Sequence, residues 1–145
     1  MNGCNTDIFH EKCDNIEGCV IICKVYSSDI IGGYLSTKIQ KKTEFSDDSK
    51  AFLFNITKNF VRRNKNNYKN AIKNFGDNSY FIRFGGGCDI FTLSGNCLSE
   101  NTSLSKYCSC ESSNFDCNPN DIFNNSNGNC QFKVENFEVF QVINC

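Results

Sequence analysis

The chain has 145 residues and a formal net charge of −1, and no apolar run approaches the roughly 18 residues that a membrane-spanning helix needs. This length fits one domain, residues 1–145, whose core can form without disulfides or a bound metal. The charge balance argues against a general nucleic-acid-binding protein, which usually carries a clear basic excess. The first residues lack the basic and apolar regions of a secretory signal, so we expect a cytoplasmic protein, alone or within a larger complex.

The predicted elements begin with a short helix and a β-hairpin. Asn5 or Thr6 can cap the helix through a side-chain oxygen, and the helical pattern ends at about Cys13. The β-branched run Val20–Tyr26 then predicts a strand, and Ile30–Leu35 predicts its partner after a polar turn.

The middle of the chain is predicted to alternate between strands and polar connections. The glycine pair Gly32–Gly33 indicates either a bulge or a close approach of the backbone to a neighbour. Residues 36–50 are predicted as a loop, and 58–73 as a basic edge or loop with Phe60 and Val61 turned inward. Four further strands are predicted from apolar and aromatic runs: Ala51–Ile56, Ala71–Phe75, Tyr80–Phe84 and Asp89–Leu93.

The last predicted strand has apolar residues on both faces. Phe137 and Val139 alternate on one face, and Phe140 and Val142 lie on the other after a change of phase. Apolar residues on two faces predict a central strand that is covered on each side. The change of phase predicts a bulge near Asn136. With many strands, hairpin connections and one clear helix, the expected fold is mainly β (α+β), a two-sheet antiparallel sandwich with a few short helices.

Candidate catalytic groups are sparse. His10 is the only histidine, and Cys13 lies one helical turn away on the same face. A Ser-His-Asp or Cys-His site would have to use His10, but nothing marks a nucleophile elbow or an oxyanion hole, which favours a packing or capping role. The carboxylates of Asp14, Asp89 and Glu138 could act in acid–base chemistry only if the fold brings two of them together.

The 11 cysteines favour reduced thiols over a disulfide scaffold, because the count is odd and no secretory signal is seen. Cys13, Cys19 and Cys23 lie in or beside apolar segments, where a thiol behaves as a small hydrophobic group. Cys108 and Cys110 lie in a polar region, where an accessible thiol could react with oxidants. Their Cys-x-Cys spacing is too tight for a usual zinc site, so no metal-ligating residues are predicted.

Five ordered segments carry a family resemblance: Phe9–Asp14, Ile31–Tyr34, Asp48–Phe54, Phe84–Ile90 and Phe137–Val142. Together they resemble the TLDc domain of eukaryotic oxidation-resistance proteins, over about residues 9–142. We call the matching positions the signature residues: Phe9, His10, Cys13, Asp14, Gly32, Gly33, Ser49, Lys50, Phe52, Phe54, Gly86, Asp89, Glu138, Val139 and Phe140. Most of them are residue types that a sandwich uses for its core and corners.

The resemblance implies a two-sheet sandwich and a non-enzymatic protein-interaction module, with no cofactor and no catalytic residues. Members of the family usually begin with a further helical segment, so this chain resembles a minimal domain or a piece of a longer protein. The family is associated with oxidative-stress protection and with the vacuolar proton-pumping ATPase, which is therefore the first expected partner. Two alternatives stay open: an architectural subunit of a large protist assembly, ciliary or mitochondrial, and a thiol-based peroxide scavenger that uses Cys108 or Cys110.

Overall fold

Two antiparallel sheets and one helix make up the part of the chain that the computed structural model describes. That part comprises residues 5–26, 28–63, 69–85 and 134–143, together with the backbone of 91–94. The elements are α1 Thr6–Cys13, β1 Cys19–Val25, β2 Ile30–Leu35, β3 Glu44–Ser46, β4 Phe52–Asn55, β5 Phe60–Arg63, β6 Ile72–Asn74, β7 Tyr80–Phe84, β8 Phe91–Ser94 and β9 Val134–Gln141. This architecture confirms the predicted two-sheet sandwich.

Helix α1 begins and ends as the sequence predicts. Asn5 caps it by accepting a hydrogen bond from the backbone N–H of Ile8 at 2.9 Å, which satisfies one of the open donors of the first turn. Phe9, His10 and Cys13 are buried. The helix therefore packs one face into the domain and leaves the other in solvent.

The first sheet has five strands in the order β5-β4-β2-β1-β9. The predicted hairpin is confirmed as β1 and β2, which pair from Cys19 opposite Leu35 to Lys24 opposite Ile30 without a register shift. The glycine pair in β2 therefore forms no bulge. It permits a close approach instead, because a Cβ on Gly33 would lie 2.7 Å from the ring of Phe84 in the other sheet.

The second sheet has four strands in the order β3-β6-β7-β8. The predicted second hairpin is confirmed as β6 and β7. Strand β3 lies within the stretch 36–50 that was predicted as loop, and it forms because Glu44–Ser46 pairs with β6. A register shift between Tyr80 and Ile82 in β7 allows the adjacent side chains of Phe81 and Ile82 both to be buried.

The core lies between the inner faces of the two sheets. Its largest fully buried side chains are Phe81, Phe84, Ile21, Ile31, Leu35, Ile39, Leu53, Ile72 and Ile82. Burying one such side chain contributes about 1.5–3 kcal/mol. Helix α1 joins this core through Phe9, whose ring centroid lies 5.1 Å from that of Phe81 and 6.3 Å from that of Phe137.

Two expectations about exposure are wrong. Strand β9 pairs only with β1 among the described strands and lies at the edge of the sheet, with Phe140 48% exposed rather than covered. Val61, expected to point inward, is 51% exposed, whereas Phe60 does pack against the core.

The predicted bulge near Asn136 is confirmed. The β1–β9 register shifts between Lys24, which lies opposite Asn136, and Val25, which lies opposite Val134.

Several predictions fall on residues outside the described part of the chain. The signature residues Gly86 and Asp89 and the thiols Cys108 and Cys110 are among them. Within the described residues, no helix has the length and apolar character needed to cross a membrane.

Candidate functional site

Seven of the signature residues lie in the five-stranded sheet and divide between its two sides. Gly33 and Val139 face the core: Gly33 lies against Phe84, and Val139 packs half-buried against the core cluster. Residues directly opposite each other in an antiparallel pair project to the same face. The register therefore places five signature residues on the outer face: Gly32, Phe52, Phe54, Glu138 and Phe140.

This outer face is apolar and aromatic over most of its width. We call it the aromatic face and define it by Tyr34, Phe52, Phe54, Val61 and Phe140. Tyr34 lies opposite Phe52, Phe54 lies opposite both Gly32 and Val61, and Val20 joins Tyr34 to Phe140 across β1. All five strands of the sheet thus contribute to one continuous surface.

The rings on the aromatic face contact one another. The centroids of Tyr34 and Phe52 are 5.2 Å apart with an interplanar angle of 24°, and those of Phe52 and Phe54 are 6.3 Å apart. The ring of Phe54 lies over Gly32, where any Cβ would come within 2.5 Å of its Cζ atom. Glycine at this position therefore permits Phe54 to lie flat on the sheet. The result is a rigid aromatic platform, because each ring is held by its neighbours.

Charged groups border the aromatic face. The guanidinium of Arg63 lies 5.9 Å from the ring centroid of Phe52, within the range of a cation–π contact. No carboxylate among the described residues forms an ion pair with Arg63. On the β1–β9 side, Lys24 Nζ lies 2.8 Å from Glu135 Oε1. An apolar centre with a polar border is the usual anatomy of a protein-interaction surface.

The histidine site is buried rather than open. His10 is 4% exposed, and its Nδ1 lies 2.7 Å from Oδ1 of Asp14, four residues on. The second carboxylate oxygen of Asp14 accepts a hydrogen bond from the backbone N–H of Lys41 at 3.0 Å. Glu138 is on the outer face of β9, so the structure does not bring it together with Asp14. Since the imidazole is enclosed, the arrangement favours the packing and capping role expected for His10.

A buried carboxylate that sequence reasoning missed organises the loop before β4. Asp48 is 2% exposed, whereas the signature residues Ser49 and Lys50 beside it are exposed. Its two oxygens accept hydrogen bonds from the backbone N–H of Ser36, Thr37, Lys50 and Ala51 and from the hydroxyl of Ser36. The donors from Lys50 and Ala51 follow an Asx-turn pattern, which the sequence could have signalled. The donors from Ser36 and Thr37 come from the end of β2 and could not be foreseen.

The cysteine side chains within the described residues are buried. Cys13, Cys19 and Cys23 form no disulfide bond. Burial raises the pKa of the Cys19 thiol above 9.0, which disfavours the reactive thiolate. Within the described residues there is no group of three or more His, Cys, Asp or Glu side chains that could hold a metal ion.

Comparison with known proteins agrees with the sequence resemblance. A protein-family model described as the TLDc domain matches residues 1–143, which is nearly the whole chain. No curated protein matches the sequence.

Proposed function

Because the chain belongs to the TLDc domain family, whose domain is a protein-interaction module, we propose that it acts without catalysis in oxidative-stress protection, in binding and regulating the vacuolar proton-pumping ATPase, or in both. The observation that carries the proposal is the aromatic face. Signature residues of β4 and β9 form much of it, and Val61 and Phe140 are about half exposed there.

The aromatic face has the properties that a binding surface needs. Aromatic side chains supply much of the binding energy in protein interfaces, because they bury a large area at a small cost in conformational entropy. Tyr34 and Phe52 are already fixed by ring stacking, so less freedom is lost when a partner binds. A pre-formed sheet surface also keeps these anchors at constant spacing.

The proposal is tested by affinity capture from solubilised vacuolar membranes. The bait is the tagged chain, and the test variant carries Val61→Asp and Phe140→Asp, which place charges on the exposed part of the aromatic face. The control variant is Ile8→Asp, because Ile8 is 36% exposed on helix α1 and lies in a different element. We expect wild type and control to capture subunits of the pump and the double variant to capture at least about tenfold less, a loss of roughly 1.4 kcal/mol.

Capture without pump subunits would contradict the proposed partner. Recovery of ciliary or mitochondrial complex subunits instead would favour the architectural alternative. The stress-protection part is tested separately, by peroxide survival of cells in which the native protein is replaced by wild type or by the double variant. Equal survival with both would show that the aromatic face does not act in that protection.

A further inference from the structure

A second surface lies on the outer face of the four-stranded sheet, away from the aromatic face. The strand register places Phe45 of β3 opposite Lys73 of β6, and Lys73 opposite Arg83 of β7. Phe75 follows β6 on the same side, and Tyr80 lies at the start of β7. We call these five side chains the cation–aromatic row.

The two cations of the row alternate with aromatic rings. Lys73 Nζ lies 5.0 Å from the ring centroid of Phe45 and 5.1 Å from that of Phe75. The guanidinium carbon of Arg83 lies 5.1 Å from the centroid of Phe75 and 5.4 Å from that of Tyr80. Each cation is therefore within cation–π range of two rings, which hold it over the sheet.

The row concentrates positive charge on adjacent strands. Like charges directly opposite each other in a sheet are destabilising, and Lys73 and Arg83 occupy such a pair. The charge of Lys73 acts on the carboxylate of Asp77, but Lys73 forms no ion pair with a carboxylate in the part of the chain that the structure describes. Lys73 is half-buried, so its charge remains accessible from solvent, and Arg83 is half-buried with its Nε atom buried. Phe45, at one end of the row, is 43% exposed and offers apolar surface beside the charge.

We propose that the cation–aromatic row binds an acidic, extended segment of a partner protein. Alternate side chains of an extended segment are about 6.6 Å apart on the same side, so two carboxylates can approach two cations on neighbouring strands. An apolar residue next to the acidic pair can pack on Phe45. This inference does not depend on the aromatic face or on the proposed pump.

The chemistry of the row favours an acidic protein segment over nucleic acid. Single-stranded nucleic acids bind to sheets by stacking bases on open aromatic rings. Here Phe75 is 5% exposed and its ring lies against Lys73 and Arg83, so it offers no free face for stacking.

The test is fluorescence anisotropy with a labelled peptide of alternating Glu and Ser, and a reference peptide in which Gln replaces every Glu. The test variant is Lys73→Gln with Arg83→Gln. The control is Lys12→Gln with Lys50→Gln, which removes the same charge from exposed positions outside the row. We expect the test variant to weaken binding of the Glu peptide at least about tenfold, the control to change it less than about twofold, and the Gln peptide not to bind.

Thermal unfolding of each variant establishes that it is folded before binding is compared. Equal binding of the Glu peptide by the two double variants would overturn the proposal, as would equal binding of the Glu and Gln peptides by wild type. Tighter binding of a single-stranded oligouridylate than of the Glu peptide would also overturn it and indicate a nucleic-acid surface.

Discussion

The imidazole of His10 and the carboxylate of Asp14 form a hydrogen bond of 2.7 Å across one turn at the end of helix α1. The other oxygen of Asp14 binds the backbone N–H of Lys41, so one carboxylate connects the helix to the loop before β3. The second ring nitrogen of His10, Nε2, is buried without a hydrogen-bond partner in the described structure. The pair therefore combines a link between two segments with an unsatisfied polar atom.

Replacing Asp14 with Ala is expected to lower the free energy of unfolding by about 1–3 kcal/mol, because it leaves a buried imidazole with no hydrogen-bond acceptor. The measurement is urea denaturation followed by circular dichroism. Asp7→Ala is the matched control, since Asp7 forms only an exposed ion pair with Lys41 and should cost about 0–1 kcal/mol. In a His10→Phe background, Asp14→Ala should cost less than in wild type. Equal costs in both backgrounds would contradict the role given to the pair.

Asp48→Asn is expected to destabilise the domain by about 2 kcal/mol or more, because hydrogen bonds to a charged acceptor contribute about 1.5–3 kcal/mol. Oδ2 of Asp48 accepts hydrogen bonds from the backbone N–H groups of Ser36 and Thr37. In the Asp48→Asn variant an amide nitrogen at that position would be a donor facing these two donors, so both hydrogen bonds would be lost. Asp47→Asn is the control. Asp47 is exposed and accepts a hydrogen bond from the N–H of Asn70 at 2.9 Å, so its replacement should change the urea midpoint little.

Gly33→Ala is expected to cost about 1–3 kcal/mol through overpacking of the core. The added Cβ would lie 2.7 Å from the ring of Phe84 and 3.0 Å from Cδ2 of Leu53. Phe84→Leu removes the nearest ring atoms, so the cost of Gly33→Ala should be smaller in that background. A double-mutant cycle of unfolding free energies measures this coupling. Additive costs would show that the contact with Phe84 does not limit the size of residue 33.

Alkylation is expected to spare Cys13, Cys19 and Cys23 in the folded protein, because all three thiols are buried. For Cys19, burial raises the pKa above 9.0, so the folded state favours the neutral thiol. The associated stability is complete below pH 9.0 and is lost as the pH rises through the higher folded-state pKa. Peptide mapping after treatment with iodoacetamide measures the labelling. Labelling of these three residues as fast as in guanidinium chloride would contradict their burial.

Asp77 is expected to titrate below 3.8 in the folded protein, because a hydrogen bond from the backbone N–H of Ser79 favours its charged form. The hydroxyl of Ser79 and the charge of Lys73 act in the same direction. A group with a lowered pKa contributes stability above the unfolded value, and that contribution disappears as the pH falls through the folded pKa. NMR titration of the Asp77 carboxyl carbon measures the value. A midpoint at or above 3.8 would contradict the turn geometry.

The sequence predicted those helices and strands that are determined by interactions between residues close together in the chain. The cap at Asn5 predicted helix α1, and the β-branched run after Gly18 predicted β1 and its hairpin. Strand β3 was not predicted from the sequence, because this three-residue segment forms a strand only through its pairing with β6. The exposure of Phe140 was not predicted from the sequence. Apolar residues on both faces of a strand do not show whether each face is covered by other elements or exposed to solvent.

Long-range contacts explain what was missed at the candidate surfaces. The signature residues Phe52 and Phe54 were expected mainly to build the fold, yet they also form the aromatic face through pairing with β2. The five members of the cation–aromatic row are spread from Phe45 to Arg83, and only the strand register of β3, β6 and β7 brings them together. Likewise, the bonds from Ser36 to Asp48 span 12 residues of chain.

The back-to-back arrangement of the two sheets gives the domain two outward surfaces of different chemistry. Packed sheets are separated by about 10 Å, and here the space between them is filled by side chains such as Phe84 and Leu53. A partner on the aromatic face and an acidic segment on the cation–aromatic row would therefore approach from opposite directions without steric competition. In such a ternary complex the domain would be a spacer of fixed thickness between its two partners. One partner could then dissociate and be replaced while the other stays bound.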